Sequence, residues 1–324
     1  MGGQVKNQHY VPRMYMKRFS QDQKRICVWN VMSDTILTRQ RPENYAAKRY
    51  FYDADKFELK QALEEMSKLY PDAVPIIDAA DEQFVEKGLS RVEADVSKIL
   101  DLICDNHEAL YDEVNMQKLI IFLHDLAYRS EKYRDQLDNI REQTLMYLEK
   151  MGITAEQVEG MDKTGKDNQL YQLVGIAPLL KTAKKLTENY NWYIGTVSGN
   201  MKLVISDNLA QGIMLGFNDI CIPLRGDKAV IFRIIDSEDP IISKDMPVGN
   251  EIKLTERSVF VYNAVQMSYA IRFMFGDKAS LTFLKMMSDR QGVMLACMEK
   301  GLFCTLLGIK NDIREKVRYE FFVF

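Results

Sequence analysis

Apolar residues recur at intervals of three and four from Lys56 to about Glu159, which predicts a helical layer. The stretch FELKQALEEMSKLY reads as a short amphipathic helix ended by Pro71. A long helix follows in DEQFVEKGLSRVEADVSKILDLICDN, with Leu89, Val92, Val96, Ile99 and Ile103 as its apolar stripe. NMQKLIIFLHDLAYRSEKYRDQL reads as one longer helix, apolar nearly all round in its first half and so expected inside the domain. IREQTLMYLEKMG is helical up to Gly152. Ahead of this layer the period is two. RICVWNV (25–31) and DTILTRQ (34–40) alternate, and Met32-Ser33 between them predicts a hairpin. ENYAAKRYFYD then supplies Tyr50, Phe51 and Tyr52 as a hydrophobic plug.

GMDKTGKDN (160–168) is the best loop and boundary, and one helix is expected near 169–188. The period then shortens. NWYIGTVS, MKLVISDN, DICIPLRG and KAVIFRII read as four short strands, with a hairpin signal in VSGNM. TERSVFVYNAVQMSYAIRFMFG returns to helix with Thr255 as N-cap. A helix near 279–300 and a strand-like VRYEFFVF complete the pattern. The expectation is an α+β fold: an N-terminal hairpin and helical layer packed on an antiparallel meander with C-terminal helices. It reads as one domain over 1–324, divisible into a mainly helical part (1–159) and a sheet-plus-helix part (169–324). No repeated βαβ pattern supports a doubly wound sheet.

Composition narrows the class. At 47% hydrophobic and 27% charged, the 324 residues suit a globular core, and the net charge of −3 argues against a general nucleic-acid glove. The charge is uneven, however: residues 1–60 hold 12 Lys and Arg against 6 Asp and Glu. Such a basic segment suits phosphate, or acidic helices of the same chain. Five cysteines without a C-x-x-C pair point to a reducing compartment, and three histidines cannot build a His-rich metal site. No apolar run suggests a secretory signal or a bilayer span, so a cytoplasmic location and no membrane partner are expected.

The chemistry-bearing residues are scattered. NQHYVPR places Gln8, His9, Tyr10 and Arg13 around Pro12, which fixes its own φ and extends Val11. His9 suits a general acid or base, or a hydrogen bond to backbone. His124 shares a helical stripe with Gln117 and Glu131, each seven apart, and these must find polar partners. Asp125 and Arg129 are spaced for an i, i+4 ion pair. Glu86 and Glu93 share one edge of their helix's apolar face. Asp207 and Asn208 end the strand VISDN, where a carboxylate can hold metal or close a turn. No P-loop, G-x-G-x-x-G, G-x-S-x-G or H-E-x-x-H is present.

Taken as an ordered set, these stretches resemble a mostly bacterial domain-of-unknown-function family whose members open with N-Q-H-Y-V-P-x-x-Y-L-x-x-F. NQHYVPRMYMKRF matches that opening, with Met16 in place of Leu. YAAKRYFYD and FVEKGLSRVEADVSKIL are similar to its next two segments, the second carrying Glu86 and Glu93 as its two spaced acids. FLHDLAYRS resembles a helix usually written with Gln where His124 stands, and with Thr-Pro where Ser130-Glu131 stands. LVISDN resembles its S-D-N-P strand, with Leu209 replacing Pro; ICIPL and NAVQMSYAIRFMF follow in order, the last bearing Asn263. The likeness spans roughly residues 7–275 and implies that His9, Arg13, Glu93, Arg129, Asp207 and Asn263 meet in one place.

Two readings follow. The first is a hydrolase acting on a phosphodiester, a metal-dependent nuclease with nucleic acid as partner and a role in bacterial defence. Arg13 and Arg129 would hold the phosphate, His9 would transfer a proton, and Glu93 and Asp207 would coordinate Mg²⁺ or Mn²⁺. Gln8, Tyr10, His124, Asn208 and Asn263 would contact substrate. The second is a non-catalytic binding or regulatory module in which the same residues form a structural polar network. Eighteen methionines suit an adaptable partner surface in that case. Oligomeric state is not readable from these patterns.

Overall fold

The computed structural model describes residues 4–20, 22–73, 75, 80–158, 160–235 and 243–289. It is an α+β protein whose chain divides into two units, Met1–Pro12 with Ala46–Asn189 and Arg13–Tyr45 with Tyr190–Phe324. The expected strand VRYEFFVF and the helix end beyond residue 289 lie outside the described residues. No helix among the described residues is long and apolar enough to cross a membrane.

The first unit is helical, with one short antiparallel ribbon of Asn7–His9 against Ala47–Arg49. Helix Phe84–Asp105 buries Val85, Leu89, Val96, Ile99, Leu100, Ile103 and Cys104; of the stripe the 3–4 spacing predicts, Val92 is half-buried and the rest are buried. Each such aliphatic side chain contributes roughly 1.5–3 kcal/mol when removed from water. Helix Glu113–Tyr128 buries eight residues between Leu119 and Ala127 and lies inside the unit as expected. Of the aromatic plug, Phe51 and Tyr52 are buried, while Tyr50 is 38% exposed and sits at φ +52°.

In the second unit the helix expected to run to Gly276 ends at Tyr269, ahead of strand Phe273–Gly276. In the first unit three boundaries differ from the sequence expectation, each for a local reason. The single helix expected over 115–137 breaks at Arg129-Ser130, where Ser130 becomes the N-cap of helix Glu131–Lys150 and accepts from the Tyr133 N–H at 3.2 Å. A capping serine followed by an acid in the first turn favours a new start over continuation. The expected loop 160–168 contains a helix start. Thr164 and Asp167 form a capping box that opens helix Gly165–Val174. Gly175 then separates that helix from Ile176–Asn189, which carries Pro178 in its first turn.

The second unit holds two sheets. The five-stranded one runs in the order Asp219–Arg225, Lys228–Ile234, Tyr190–Val197, Glu251–Leu254, Pro247–Val248. Its pairs are antiparallel except Tyr190–Val197 with Glu251–Leu254, which are parallel. The four-stranded one contains the expected hairpin, in the order Thr35–Gln40, Ile26–Asn30, Phe273–Gly276, Ile205–Ser206. Helix Glu256–Tyr269, capped by Thr255, packs Val259 and Tyr262 into the core under the first sheet. Its Phe260 and Met267 pack against the core under the second. This two-sided burial explains why the helix shows no clean amphipathic stripe.

VSGNM does not close a hairpin. Residues 201–204 make no strand, and Ile205–Ser206 pair with Met274 and Phe275 instead of Tyr190–Val197. Side chains of helix Glu256–Tyr269 hold that segment. Asn263 accepts from the Val204 N–H at 2.9 Å and donates to the Lys202 carbonyl at 2.8 Å, and Gln266 accepts from the Ser206 N–H at 3.2 Å. With the Leu203 N–H donating to the Gly226 carbonyl at 2.8 Å, residues 202–204 are held outside a ladder.

Two glycines test the helical packing. A Cβ on Gly165 would lie 2.6 Å from the Arg134 carbonyl oxygen and from the Asp138 carboxyl carbon, whereas a Cβ on the exposed Gly88 would meet nothing within 4 Å. Gly165→Ala is expected to destabilise by about 1–3 kcal/mol through overpacking. Gly88→Ala is expected to stabilise by about 0.5–1 kcal/mol through helix propensity. Urea melts of the two variants check both signs.

Candidate functional site

The N-terminal signature divides between the units. Gln8 is fully buried in the first, where its Oε1 accepts from the Tyr52 N–H and its Nε2 donates to the Asp53 carboxylate. Gln83 grips the residues ahead of that strand, accepting from the Val5 N–H and donating to the Val5 carbonyl, both at 2.8 Å. Tyr10 is buried against Phe51 with ring centroids 6.1 Å apart, and its N–H donates to the Ala46 carbonyl at 2.9 Å. Ala46 turns the chain there at φ +51°, a left-handed conformation rare without glycine.

Arg13 is exposed and opens helix Arg13–Lys17 of the second unit. The signature's next residues serve a bulge in strand Asp219–Arg225. Its register shifts between Pro223 and Arg225. The Tyr15 hydroxyl donates to the Pro223 carbonyl, and Arg18 Nε donates to the Leu224 carbonyl at 2.8 Å. A bulged strand leaves carbonyls outside the ladder, and these two side chains take them.

His9, Glu93 and Arg129 converge in the first unit. Arg129 is 1% exposed at the end of helix Glu113–Tyr128. Its Nη2 donates to the His9 carbonyl and lies 3.0 Å from Glu93 Oε1. The Arg129 carbonyl accepts from the Tyr52 hydroxyl at 2.7 Å, and the guanidinium sits 6.0 Å from that ring's centroid. Nε and Nη1 of Arg129 are buried without a hydrogen-bond acceptor among the described residues. Burial opposes its charge, but Glu93, Tyr52 and Asp125 more than offset that and hold the guanidinium protonated. Burial pushes the Asp125 carboxyl up to about 7, with Arg129 opposing and Glu93 adding. The ion pair of Arg129 is therefore the interhelical one with Glu93, rather than the i, i+4 pair with Asp125 that the spacing suggests.

His124 lies apart from that set. Its Nε2 donates to the Gln172 carbonyl at 2.6 Å, since a carbonyl can only accept, and its Nδ1 accepts from the Thr182 hydroxyl at 2.9 Å. Burial holds its pKa down at about 4, against the pull of the carbonyl. The stripe with Gln117 and Glu131 does not form, because Glu131 begins a new helix and pairs with Lys48 at 2.5 Å.

Asp207, Asn208 and Asn263 gather in the second unit. Asp207 Oδ1 accepts from the Ile271 N–H at 2.7 Å, and Oδ2 from the Arg272 and Phe273 N–H groups at 2.8 and 3.1 Å. Burial pushes its pKa up to about 6, against these three bonds. Asn208 donates to the Tyr269 carbonyl at 3.2 Å. Both Asp207 oxygens are committed to backbone N–H groups and Glu93 Oε1 to Arg129, and the two carboxylates belong to different units. Among the described residues no group of three His, Cys, Asp or Glu side chains is arranged for a metal ion.

Several partners carried no sequence signal. Gln169 donates to the Tyr128 and Ser130 carbonyls at 2.8 and 2.9 Å, covering the helix break, and accepts from Arg134 Nε at 2.7 Å. Asp219 accepts from the Tyr262 hydroxyl at 2.8 Å and the Ser243 N–H at 3.0 Å, with Arg233 Nη2 3.6 Å away. Asp219 opens an otherwise apolar strand, and that charge in an apolar run is the one available clue.

The buried histidine yields a pH test. Its folded pKa lies below the unfolded value of about 6.5, so the unfolded chain binds the extra proton between pH 6.5 and 4, and stability falls as pH falls through that window. His124→Gln lacks this proton linkage. Relative to the variant, wild type is expected to lose about 2 kcal/mol between pH 7 and pH 5, measured by urea melts at both.

No curated protein and no solved structure matches the chain. Residues 7–279, from the signature that clips the N-terminus to the first turn of the helix after Gly276, match the family described as protein of unknown function (DUF4238), and the chain belongs to that family.

Proposed function

We propose that this protein is a non-catalytic binding or regulatory module whose signature side chains hold its own backbone. The observation that carries this reading is Asp207, 1% exposed, with both carboxylate oxygens bonded to three successive backbone N–H groups. Gln8 and Asn263, each fully buried, are committed in the same way. A catalytic carboxylate needs a lone pair aimed at substrate or water. Such saturation supports a scaffold role.

One observation favours the second reading, a phosphodiester hydrolase. Among the described residues, Nε and Nη1 of Arg129 have no acceptor beside His9 and Glu93. A guanidinium with free N–H groups takes phosphate oxygens well. In that case Arg129 would bind the phosphate and His9 would carry the proton, with no step assigned to a metal.

A cleavage assay with labelled single- and double-stranded RNA and DNA separates them, run with Mg²⁺, with Mn²⁺ and with EDTA. The module reading expects no cleavage by wild type in any lane. Cleavage by wild type that disappears in a His9→Ala protein of unchanged melting temperature would sink it and establish the hydrolase. Alongside, Asp207→Ala leaves three buried N–H groups unpaired and is expected to cost about 3 kcal/mol or more. Asp207→Asn, which keeps one acceptor, is expected to cost less. Urea melts of both variants check this order.

A further inference from the structure

Helix Glu131–Lys150 buries only Glu131 and Tyr133, and every later residue is half-buried or exposed. One side is occupied. Gly165 packs against Arg134 and Asp138, and Arg141 Nε donates to the Met161 carbonyl at 2.9 Å. About 100° around the helix lies a second face made of Leu137, Ile140, Thr144, Tyr147 and Met151. Their spacing is 3, 4, 3, 4, the seam of an antiparallel or parallel helix pair. Met151 is the helix C-cap and keeps helical dihedrals, so the seam runs to its last turn. Ile140 is 47% exposed, Tyr147 66% and Met151 59%, values far above those of a buried helix face.

We infer that this seam pairs antiparallel with the same helix of a second copy, making the protein a homodimer. The side chains are self-complementary about a twofold axis. In the antiparallel register that opposes positions 144 and 147, Ile140 meets Met151 of the other copy, and Thr144 meets Tyr147 of the other copy. The small residue faces the large one in both symmetry-related layers. Thr144 can enter such a layer without an orphan hydroxyl, because its Oγ1 already donates to the Ile140 carbonyl at 2.8 Å. The flanking pairs are Arg141 with Leu148 and Gln143 with Lys150, so no like charges oppose each other.

Charge also argues against a lipid surface. The outer face carries Glu142 and Glu149 and lacks the Lys and Arg excess that draws an interfacial helix to anionic headgroups. Ile140, Tyr147 and Met151 are the exposed apolar side chains of the seam, and an interface of them and their flanking residues falls near about 1,000 Å², the lower limit for a specific contact. A weak interface of this size is tested at a Kd on the order of micromolar.

The test is sedimentation equilibrium of the full-length protein from about 1 to 100 µM, spanning that Kd. Wild type is expected to rise from 37.6 kDa towards twice that mass. Ile140→Lys combined with Tyr147→Lys, both at exposed positions, is expected to stay monomeric with an unchanged melting temperature. Thr144→Tyr alone sets Tyr against Tyr and is expected to weaken association at least tenfold. Adding Tyr147→Thr to it restores the large-on-small layers and the dimer. A wild type monomeric at about 100 µM, or a dimer indifferent to the double-lysine change, overturns the proposal. Pelleting of a non-associating wild type with phosphatidylserine vesicles overturns it in favour of a membrane.

Discussion

A peptide group removed from water must find a hydrogen-bond partner, and in this protein irregular backbone repeatedly finds it in a buried side chain. Gln83 brackets Val5, and Gln169 covers the carbonyls at the break between two helices. Asn263 brackets Lys202 and Val204, and Asp207 gathers the three N–H groups of Ile271, Arg272 and Phe273 that lead into strand Phe273–Gly276. Residue type follows from the need: an amide can donate and accept to one stretch, whereas a carboxylate serves where only N–H groups converge.

The same rule governs the charges. Each unit contains a buried arginine and a carboxylate near it, Arg129 with Glu93 and Arg233 with Asp219. Such pairs contribute little net stability against apolar replacements, yet breaking one leaves an uncompensated buried charge. Arg129 ties helix Glu113–Tyr128 to helix Phe84–Asp105 and to the His9 carbonyl. Arg233 does similar work through the Ser243 and Asp245 carbonyls. The proposal of a binding module rests on this economy of partners, since polar groups so committed define a shape more than a reaction.

Much of the local structure was legible. The stripe of Leu89, Val96, Ile99 and Ile103 and the cap at Thr255 are where the spacing puts them. The hairpin of Ile26–Asn30 and Thr35–Gln40 forms around the expected turn, where Asn30 accepts from the Met32 and Ser33 N–H groups. Even the missed starts had signals, a serine before an acid at Ser130-Glu131 and the box of Thr164 and Asp167. These features depend on neighbours within a turn or two of the chain, which is the range over which periodicity and capping act.

Tertiary structure alone decided the rest. It carried residues 13–45 into the second unit, because strand Ile26–Asn30 pairs with Phe273–Gly276. It gave strand Tyr190–Val197 the distant partners Lys228–Ile234 and Glu251–Leu254 instead of the adjacent 201–208. It brought His9, Glu93 and Arg129 together in one unit and gathered Asp207 and Asn263 in the other. The amino-acid sequence by itself determined most of the helices, the hairpin and the apolar face of helix Phe84–Asp105, since those follow from contacts a few residues apart. Which strands pair, and which polar groups are buried together, depends on how backbone groups far apart in the chain satisfy one another once water is excluded, and no short-range pattern encodes that choice.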